Sequence, residues 1–438
     1  MTPPSAGPDE GGEVGSALNQ LPHTNVPGPS PYQHGGKLVN VLVVNAGSSS
    51  LKYELYDMDE ETSLASGLCE RVGEEGANIE QESHDGRDYE ADVDMPDHSV
   101  AFQQAIDALT GDEAGVIDSL DAIGAVGHRV VHGGEEFASS VQIDGRVEDA
   151  IDRFGELAPL HNPPNLMGVR AARELLPDVP HVAVFDTAFH QTMPRHAFIY
   201  GLPWEMYEDH RIRRYGFHGT SHRYVSLRAG EYLREQGIPN EDHKIVTCHL
   251  GNGCSMAAVK AGESIDTTMG FTPLEGLLMG TRCGDLDPAV VFYMENNLGL
   301  EIEEIDNLLN KESGLKGLSG VSNDMRDLQS AAKDGNDRAK VAMDLFAYRV
   351  RKYIGAYAAA MGGVNCVVLT GGIGENDHLQ RRWCVQDLEF LGIVEAPERN
   401  THPLPFDNGL IAIGTEDSPT HLLVIRTNEE LMIARDTV

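Results

Sequence analysis

The sequence predicts an α/β protein built from two related lobes. Three observations carry that reading: short apolar runs that end in Gly or polar residues, helix-period segments between them, and a strand–loop–strand unit at 41–56 echoed at 245–259. At 438 residues, 41% of them apolar, the chain is long enough to bury a core in each lobe.

The elements follow in order. Residues 1–36 are rich in Pro, Gly and polar residues without apolar periodicity, which predicts a disordered extension; the folded body is expected from about Lys37. The run VLVV at 41–44 reads as a strand, NAGSSSLK at 45–52 as a Gly/Ser tip, and LKYELYD at 51–57 as a second, alternating strand, so together they predict a β-hairpin. Phe102, Ile106 and Leu109 ahead of Gly111 mark a helix, and IGAVGHRVV at 123–131 marks another strand. HVAVFD (181–186), KIVTCHL (244–250) and NCVVLTGG (365–372) each place an apolar strand before a polar or Gly-rich end. Such strand ends are where open α/β sheets bind ligands. The echo pairs VLVVNAGSSSLKYELY (41–56) with IVTCHLGNGCSMAAV (245–259) and points to a duplicated fold with one phosphate-facing loop per lobe. Strand–turn–strand patterns also recur by coincidence.

Charge narrows the function classes. Asp plus Glu number 69 against 33 Lys plus Arg, a formal net of −36, and such a body repels nucleic acid and anionic membrane surfaces alike. Lysine is scarce beside arginine. Adaptation to high salt, where ions screen surface repulsion, and simple acidity both fit. No apolar run reaches the length of a membrane span, and the N-terminus lacks the layout of a signal peptide. Cys69, Cys248, Cys254, Cys283, Cys366 and Cys384 show no CxxC pair. Free thiols in a reducing compartment, and hence a cytoplasmic protein, are expected.

The chain contains no GxxxxGK[ST] P-loop and no complete GxGxxG after a strand, so NAGSSSLK is either an ordinary Ser-rich turn or a different phosphate cradle. Four further stretches combine Gly or Pro with anion-stabilising side chains: GHRVVHGGE (127–135), LAPLHNPPN (157–165), RRYGFHGTSH (213–222) and MGTRCGDLDP (279–288). Arg129 and Arg282 are permanent cationic forks suited to carboxylate or phosphoryl oxygens. His128, His161, His218 and His249 lie beside them. Singly, such an Arg is more often a structural ion pair and such a His a structural hydrogen-bonder. No HExxH zinc signature occurs.

Taken together and in order, these motifs resemble the acetate kinase family, of the superfamily that includes actin, heat-shock ATPases and sugar kinases. VVNAGSSSLK opens the resemblance and VIRTNEELMIARDT (424–437) closes it; between them lie GHRVVHGGE, PLHNPPN, VFDTAFHQTMP, YGFHGTSH, HLGNGCS, MGFTPLEGLLMGTRCGDLDP and GGIGEN. The resemblance implies a two-lobed actin-like ATPase fold of duplicated ribonuclease H-like lobes with an active-site cleft between them. It implies an N-terminal lobe over 37–188, completed by a C-terminal helix at about 430–438, and a nucleotide-binding C-terminal lobe over 189–429. A homodimer is implied as well.

The function implied is reversible, magnesium-dependent transfer of the ATP γ-phosphoryl group to acetate, giving acetyl phosphate and ADP. Asn45, Ser48, Ser50 and Lys52 match the family's phosphate loop. Thr220, His249, Leu250, Gly251, Asn252 and Gly253 match positions around the nucleotide phosphates, as do Asp324 and Arg326 in the nucleotide site. GGIGEN, with Gly371, Gly372, Ile373, Gly374 and Asn376, reads as a loop on which adenosine lies, Gly372 permitting close approach. Asn45 and Glu429 match the metal positions, for magnesium or alternatively manganese, with water ligands retained. Arg129 would hold the carboxylate and Arg282 the transferring phosphoryl group, His218 would donate to its oxygens, His161 would stand near the transition state, and Asp186 would orient groups. Val131, Leu160, Phe217 and Pro273 match a small apolar pocket for one methyl group, whose selectivity against propionate is weak. Cys254 and Cys283 stand where Ser is a common occupant. A catalytically silent ATP-binding member of the superfamily and a propionate or butyrate kinase are the competing readings. The first has no need of Arg129, Arg282, His218 and a small-acid pocket together.

Overall fold

The computed structural model describes residues 40–438; the extension read at 1–36 and the start near Lys37 lie outside the described residues. Among the described residues fourteen strands form two sheets. The first holds β1 (Asn40–Ala46), β2 (Ser50–Asp57), β3 (Thr62–Glu70), β4 (Asn78–Ser83), β5 (Asp88–Asp92), β6 (Ile123–Val130), β7 (Val141–Gln142) and β8 (His181–Phe185). The second holds β9 (Lys244–Leu250), β10 (Cys254–Lys260), β11 (Glu263–Thr267), β12 (Cys366–Thr370), β13 (Leu410–Ala412) and β14 (His421–Ile425).

Their orders are β5-β4-β3-β2-β1-β6-β8-β7 and β11-β10-β9-β12-β14-β13. Laid side by side, β3-β2-β1-β6-β8-β7 and β11-β10-β9-β12-β14-β13 are the same arrangement. In each, the first strand pairs antiparallel with the second of its hairpin and parallel with its other neighbour, and the edge strand runs antiparallel. The echo in the sequence is therefore a repeat of topology, and the molecule has the duplicated ribonuclease H-like architecture of the actin-like fold. β4 and β5 are additions to the first copy.

The central strands are apolar on both faces because helices cover both. Val41 to Val44 are buried, as is all of β12. Helices His98–Thr110 and Asn162–Leu175 cover the outer face of the first sheet through Phe102, Leu109 and Ala172 against Leu42, Val44 and Leu55. On the second sheet that role falls to Asp337–Met361, which starts where Asn336 accepts from the Ala339 amide and ends at Gly362 in a left-handed turn. Between the sheets lie Gly219–Glu235 and Glu429–Thr437, and here Val43, Val184, Val225, Val368 and Ile433 share one core. The terminal helix comes so close to β6 that a Cβ at Gly127 would sit 2.4 Å from the Thr437 hydroxyl.

One element differs from its expectation. GGIGEN is a short helix, Gly371–Asn376, not a loop. Gly371 takes φ +75° with Leu250 backbone atoms 2.9–3.0 Å from where a Cβ would be, so the chain turns sharply off β12. Glu375 then accepts from the Gly371 amide at 3.0 Å and the Thr370 hydroxyl at 3.2 Å, closing the turn. The glycine content suggested a loop because propensity alone penalises Gly in helices.

Candidate active site

Both hairpin tips open at the same end of their sheets as the strands that follow. At the first, the Gly47 amide donates to the Ser50 carbonyl, leaving Ser48 exposed and Ser50 half-buried. Asn165, in the helix Asn162–Leu175, ties this tip to β6: its Nδ2 donates to the Ala46 carbonyl at 2.7 Å and its Oδ1 accepts from the Val131 amide at 3.0 Å. Asn162 does the same one turn earlier for the His132 amide. Both lie within HNPPN, where polar residues in a buried first turn are the signal that sequence reasoning passes over.

Arg129, at the end of β6, is gripped by Asp186, which directly follows β8. Its Nε donates to Asp186 Oδ1 at 3.1 Å and one Nη to Oδ2 at 2.6 Å, while the other Nη reaches Asn45 Oδ1 at 3.4 Å. Burial works against the guanidinium charge, but the adjacent carboxylate outweighs it and raises the pKa. Asp186 is 1% exposed, and both of its carboxylate oxygens accept from Arg129. Asn45, Lys52, Arg129, Glu429 and Glu430 line one small cavity. Lys52 pairs with Glu430 there. Burial pushes the Glu429 carboxyl up to about 7, against the opposing pull of Arg129.

Arg282 is in a different setting. It is half-buried, its Nη1 donates to the Pro273 carbonyl at 3.3 Å, and among the described residues it makes no ion pair. Desolvation lowers its pKa from the ordinary value, with no carboxylate to offset it. A point where a Cβ on Gly253 would sit lies 3.5 Å from His218 Nε2 and 3.9 Å from Arg282 Nη1, so both reach the tip of the β9–β10 hairpin. His218 stacks on His249, ring centroids 4.4 Å apart. Burial, then His249, His222 and both arginines, keeps His218 neutral. His249 is pushed down to about 4 by burial. His161 stands at the N-cap position of Asn162–Leu175 without a side-chain capping bond, and its pKa is lowered by burial and by Arg282 and Arg129. Thr220, in the first turn of Gly219–Glu235, has a buried hydroxyl without a partner among the described residues. A helix N-terminus with an unpartnered hydroxyl suits a phosphoryl oxygen.

Val131 and Phe217 are buried together with Ala158 in the core beside this centre. Pro273 is half-buried, whereas Leu160, on the turn before His161, is 63% exposed and outside that cluster. A cleft of about 680 Å³ extends from Gly251 and Asn252 past Asp324 and Arg326 to Gly372, Ile373 and Asn376. Gly372 faces open space, Asn323 braces Asn252 at 2.9 Å, and Arg326 is paired with Asp324. Leu250, Gly371 and Gly374 are buried beneath the cleft. Gly253 lies at the hairpin tip. Cys254 is buried with its thiol pushed up to about 12, and Cys283 is raised by burial as well, so neither is an activated nucleophile.

Comparison with known proteins agrees with this geometry. The Acetokinase family model matches residues 40–435. An acetate kinase of Halothermothrix orenii is 53% identical over 399 residues, 91% of this chain and 98% of that protein. One from Methanosarcina acetivorans is 55% identical, over 91% of this chain and 96% of the relative. Among solved structures, Porphyromonas gingivalis acetate kinase superposes with a TM-score of 0.86 at 47% identity, covering 91% of this chain and 98% of its own. A propionate kinase from Francisella tularensis gives 0.83 at 40% identity, with 91% and 99% covered.

Proposed function

The chain belongs to the acetokinase family and so transfers phosphoryl groups between ATP and acetate, and we propose that its interlobe cleft does this in line, through the groups gathered around Arg129 and Arg282. The substrates are two anions, and an acetate carboxylate is already ionised. No general base is required; the work is to align the carboxylate with the γ-phosphorus and to offset repulsion.

Arg129, oriented by Asp186, holds the carboxylate, with the methyl group against Val131, Phe217 and Pro273 and bounded at the mouth by Leu160. The triphosphate lies across Asn45, Ser48, Ser50 and Lys52 on one side and the turn from His249 to Gly253 on the other, Thr220 donating from its helix. Adenosine occupies the cleft at Asp324, Arg326 and Gly371 to Asn376. A carboxylate oxygen then forms a bond to the γ-phosphorus as the bond to the bridging oxygen of ADP breaks, ADP leaving with that electron pair. Arg282, His218 and His161 donate to the equatorial oxygens as charge moves through them. The observation that carries this reading is Arg282: a guanidinium held partly out of water with no carboxylate partner among the described residues, beside a neutral His, is a site waiting for an anion.

Asn45 and Glu429 fit a magnesium ion. Oxygen donors with one desolvated carboxylate match a metal that takes few protein ligands and completes its shell with phosphates and water. Among the described residues no group of three His, Cys, Asp or Glu offers a complete protein cage. When bound, the ion would neutralise phosphate charge and leave the γ-phosphorus more open to an anionic acceptor; manganese suits the same donors. We place the enzyme in the cytoplasm as a homodimer: its cysteines are free thiols, and Phe292, Tyr293, Leu298 and Ile302 form a short run of exposed large apolar side chains that a second subunit would cover.

A hydroxamate trap run with ATP, magnesium and acetate tests the reaction. Acyl hydroxamate that depends on all three is expected, and none at any salt concentration would overturn it. Parallel kinetics with propionate and butyrate test the pocket, where acetate should give the highest kcat/KM and a preference for butyrate would overturn the substrate assignment.

A further inference from the structure

Behind His218 a line of hydrogen bonds runs into the core. His218 Nδ1 is 2.8 Å from Ser255 Oγ, Ser255 Oγ is 2.7 Å from His222 Nε2, and His222 Nδ1 is 2.7 Å from Thr247 Oγ1. Thr247, His222 and Ser255 are each 0% exposed. His218 precedes the helix Gly219–Glu235 at its N-cap in a left-handed conformation, and His222 lies in the helix's first turn.

We propose that Thr247, His222 and Ser255 are positioning residues that fix the tautomer of His218, so that its Nε2 carries the hydrogen it donates to the transferring phosphoryl group; this rests on the function proposed above. Each hydroxyl has one hydrogen and each neutral imidazole one N–H, so the direction of the first bond dictates all the others. Thr247 has two acceptors to choose from. The Ala257 carbonyl is 3.5 Å away, beyond the usual range for an O–H···O bond, whereas His222 Nδ1 is at 2.7 Å. Thr247 therefore donates to His222 Nδ1, His222 carries its hydrogen on Nε2 and donates to Ser255, and Ser255 donates to His218 Nδ1. The remaining His218 hydrogen is on Nε2, the edge near Gly253 and Arg282. Run the other way, the chain would turn a lone pair toward an anionic phosphoryl group. Burial keeps both imidazoles in their neutral form, which the scheme needs. No proton moves along the line; its role is to hold one orientation before substrate arrives.

The test is ¹⁵N NMR of the full-length enzyme labelled at histidine, joined to steady-state kinetics. The chain has 18 histidines, so the His218 signal is identified by its loss in His218→Asn. In the unmodified enzyme the signal should be that of the Nε2–H tautomer. Thr247→Val keeps the shape and removes the donor; it should yield a mixture of tautomers and lower kcat about tenfold or more, with little change in KM for ATP or acetate. Thr247→Ser should restore both. Ser255→Ala supplies the same readouts should Thr247→Val not fold. An Nδ1–H tautomer in the unmodified enzyme, or a tautomer and kcat both unmoved by Thr247→Val and Ser255→Ala, would overturn the proposal. A tautomer that shifts while kcat stays constant would leave the relay standing and remove His218 from the reaction, overturning that part of the proposed function.

Discussion

Arg129 and Arg282 carry the same charge in opposite settings. Asp186 locks one by two hydrogen bonds and cancels most of its field, while among the described residues the other donates to a carbonyl and a thioether and to no carboxylate. Under the proposed function the first would orient a ligand and the second would meet charge as it develops. Arg282→Ala should therefore cut kcat by roughly 10²–10³ with a much smaller rise in KM for acetate; steady-state kinetics read this, and an unchanged kcat would take Arg282 out of the reaction. Under the proposed function Val131→Ala would enlarge the acid pocket, where one methylene is worth about 1–3 kcal/mol. Its kcat/KM ratio for propionate over acetate should rise, and an identical ratio would show that Val131 does not line the pocket. Glu429 yields a pH dependence. Its carboxyl is raised to about 7, so below that pH the proton competes with the metal, and magnesium affinity should weaken as pH falls through about 7. Titrating magnesium at several pH values checks the sign, and Glu429→Gln should give a weaker and flatter profile.

At the scale of the element, two hairpins and one short helix frame the cleft. The hairpins were legible because their strands are apolar runs bounded by Gly, Asn and Ser, and because the second copy repeats the first. The helix Gly371–Asn376 was not, since what stabilises it is a carboxylate four residues on and a buried arginine later in the chain. Arg381 is fully buried without a carboxylate partner among the described residues; it donates to the carbonyls of Gly374, Glu375 and Thr401 and to Asn400 Oδ1. Burial lowers its pKa to about 10. Arg381→Met should strand those carbonyls, lower Tm and raise KM for ATP while leaving KM for acetate near its original value. Equal changes in both would show that Arg381 supports the whole lobe and not the nucleotide floor. The same limit on local reading explains Asn165 and His222: their partners, Val131 and Ala46 for one and Thr247 and Ser255 for the other, lie on distant segments of the chain.

The whole molecule couples a cationic centre to an acidic exterior. A formal charge of −36 repels itself at low ionic strength, and screening shortens to about 3 Å at 1 M salt. Melting in dilute and molar potassium chloride should show Tm rising with salt; no gain would leave the composition as plain acidity. The duplication of the sheets explains why family and architecture could be read from motifs alone, since several of those motifs follow the C-terminal ends of the parallel strands β1, β6, β8, β9 and β12. How the two lobes share out the transferring group is a matter of three-dimensional placement. The most direct test is a crystal structure of the enzyme with magnesium, ADP, acetate and a fluoride mimic of the transferring phosphoryl group. Arg282 and His218 are predicted within hydrogen-bonding distance of the mimic, with Arg129 on the acetate carboxylate opposite ADP. Arg129 and Arg282 turned to bulk solvent, away from the terminal phosphate position, would contradict the account.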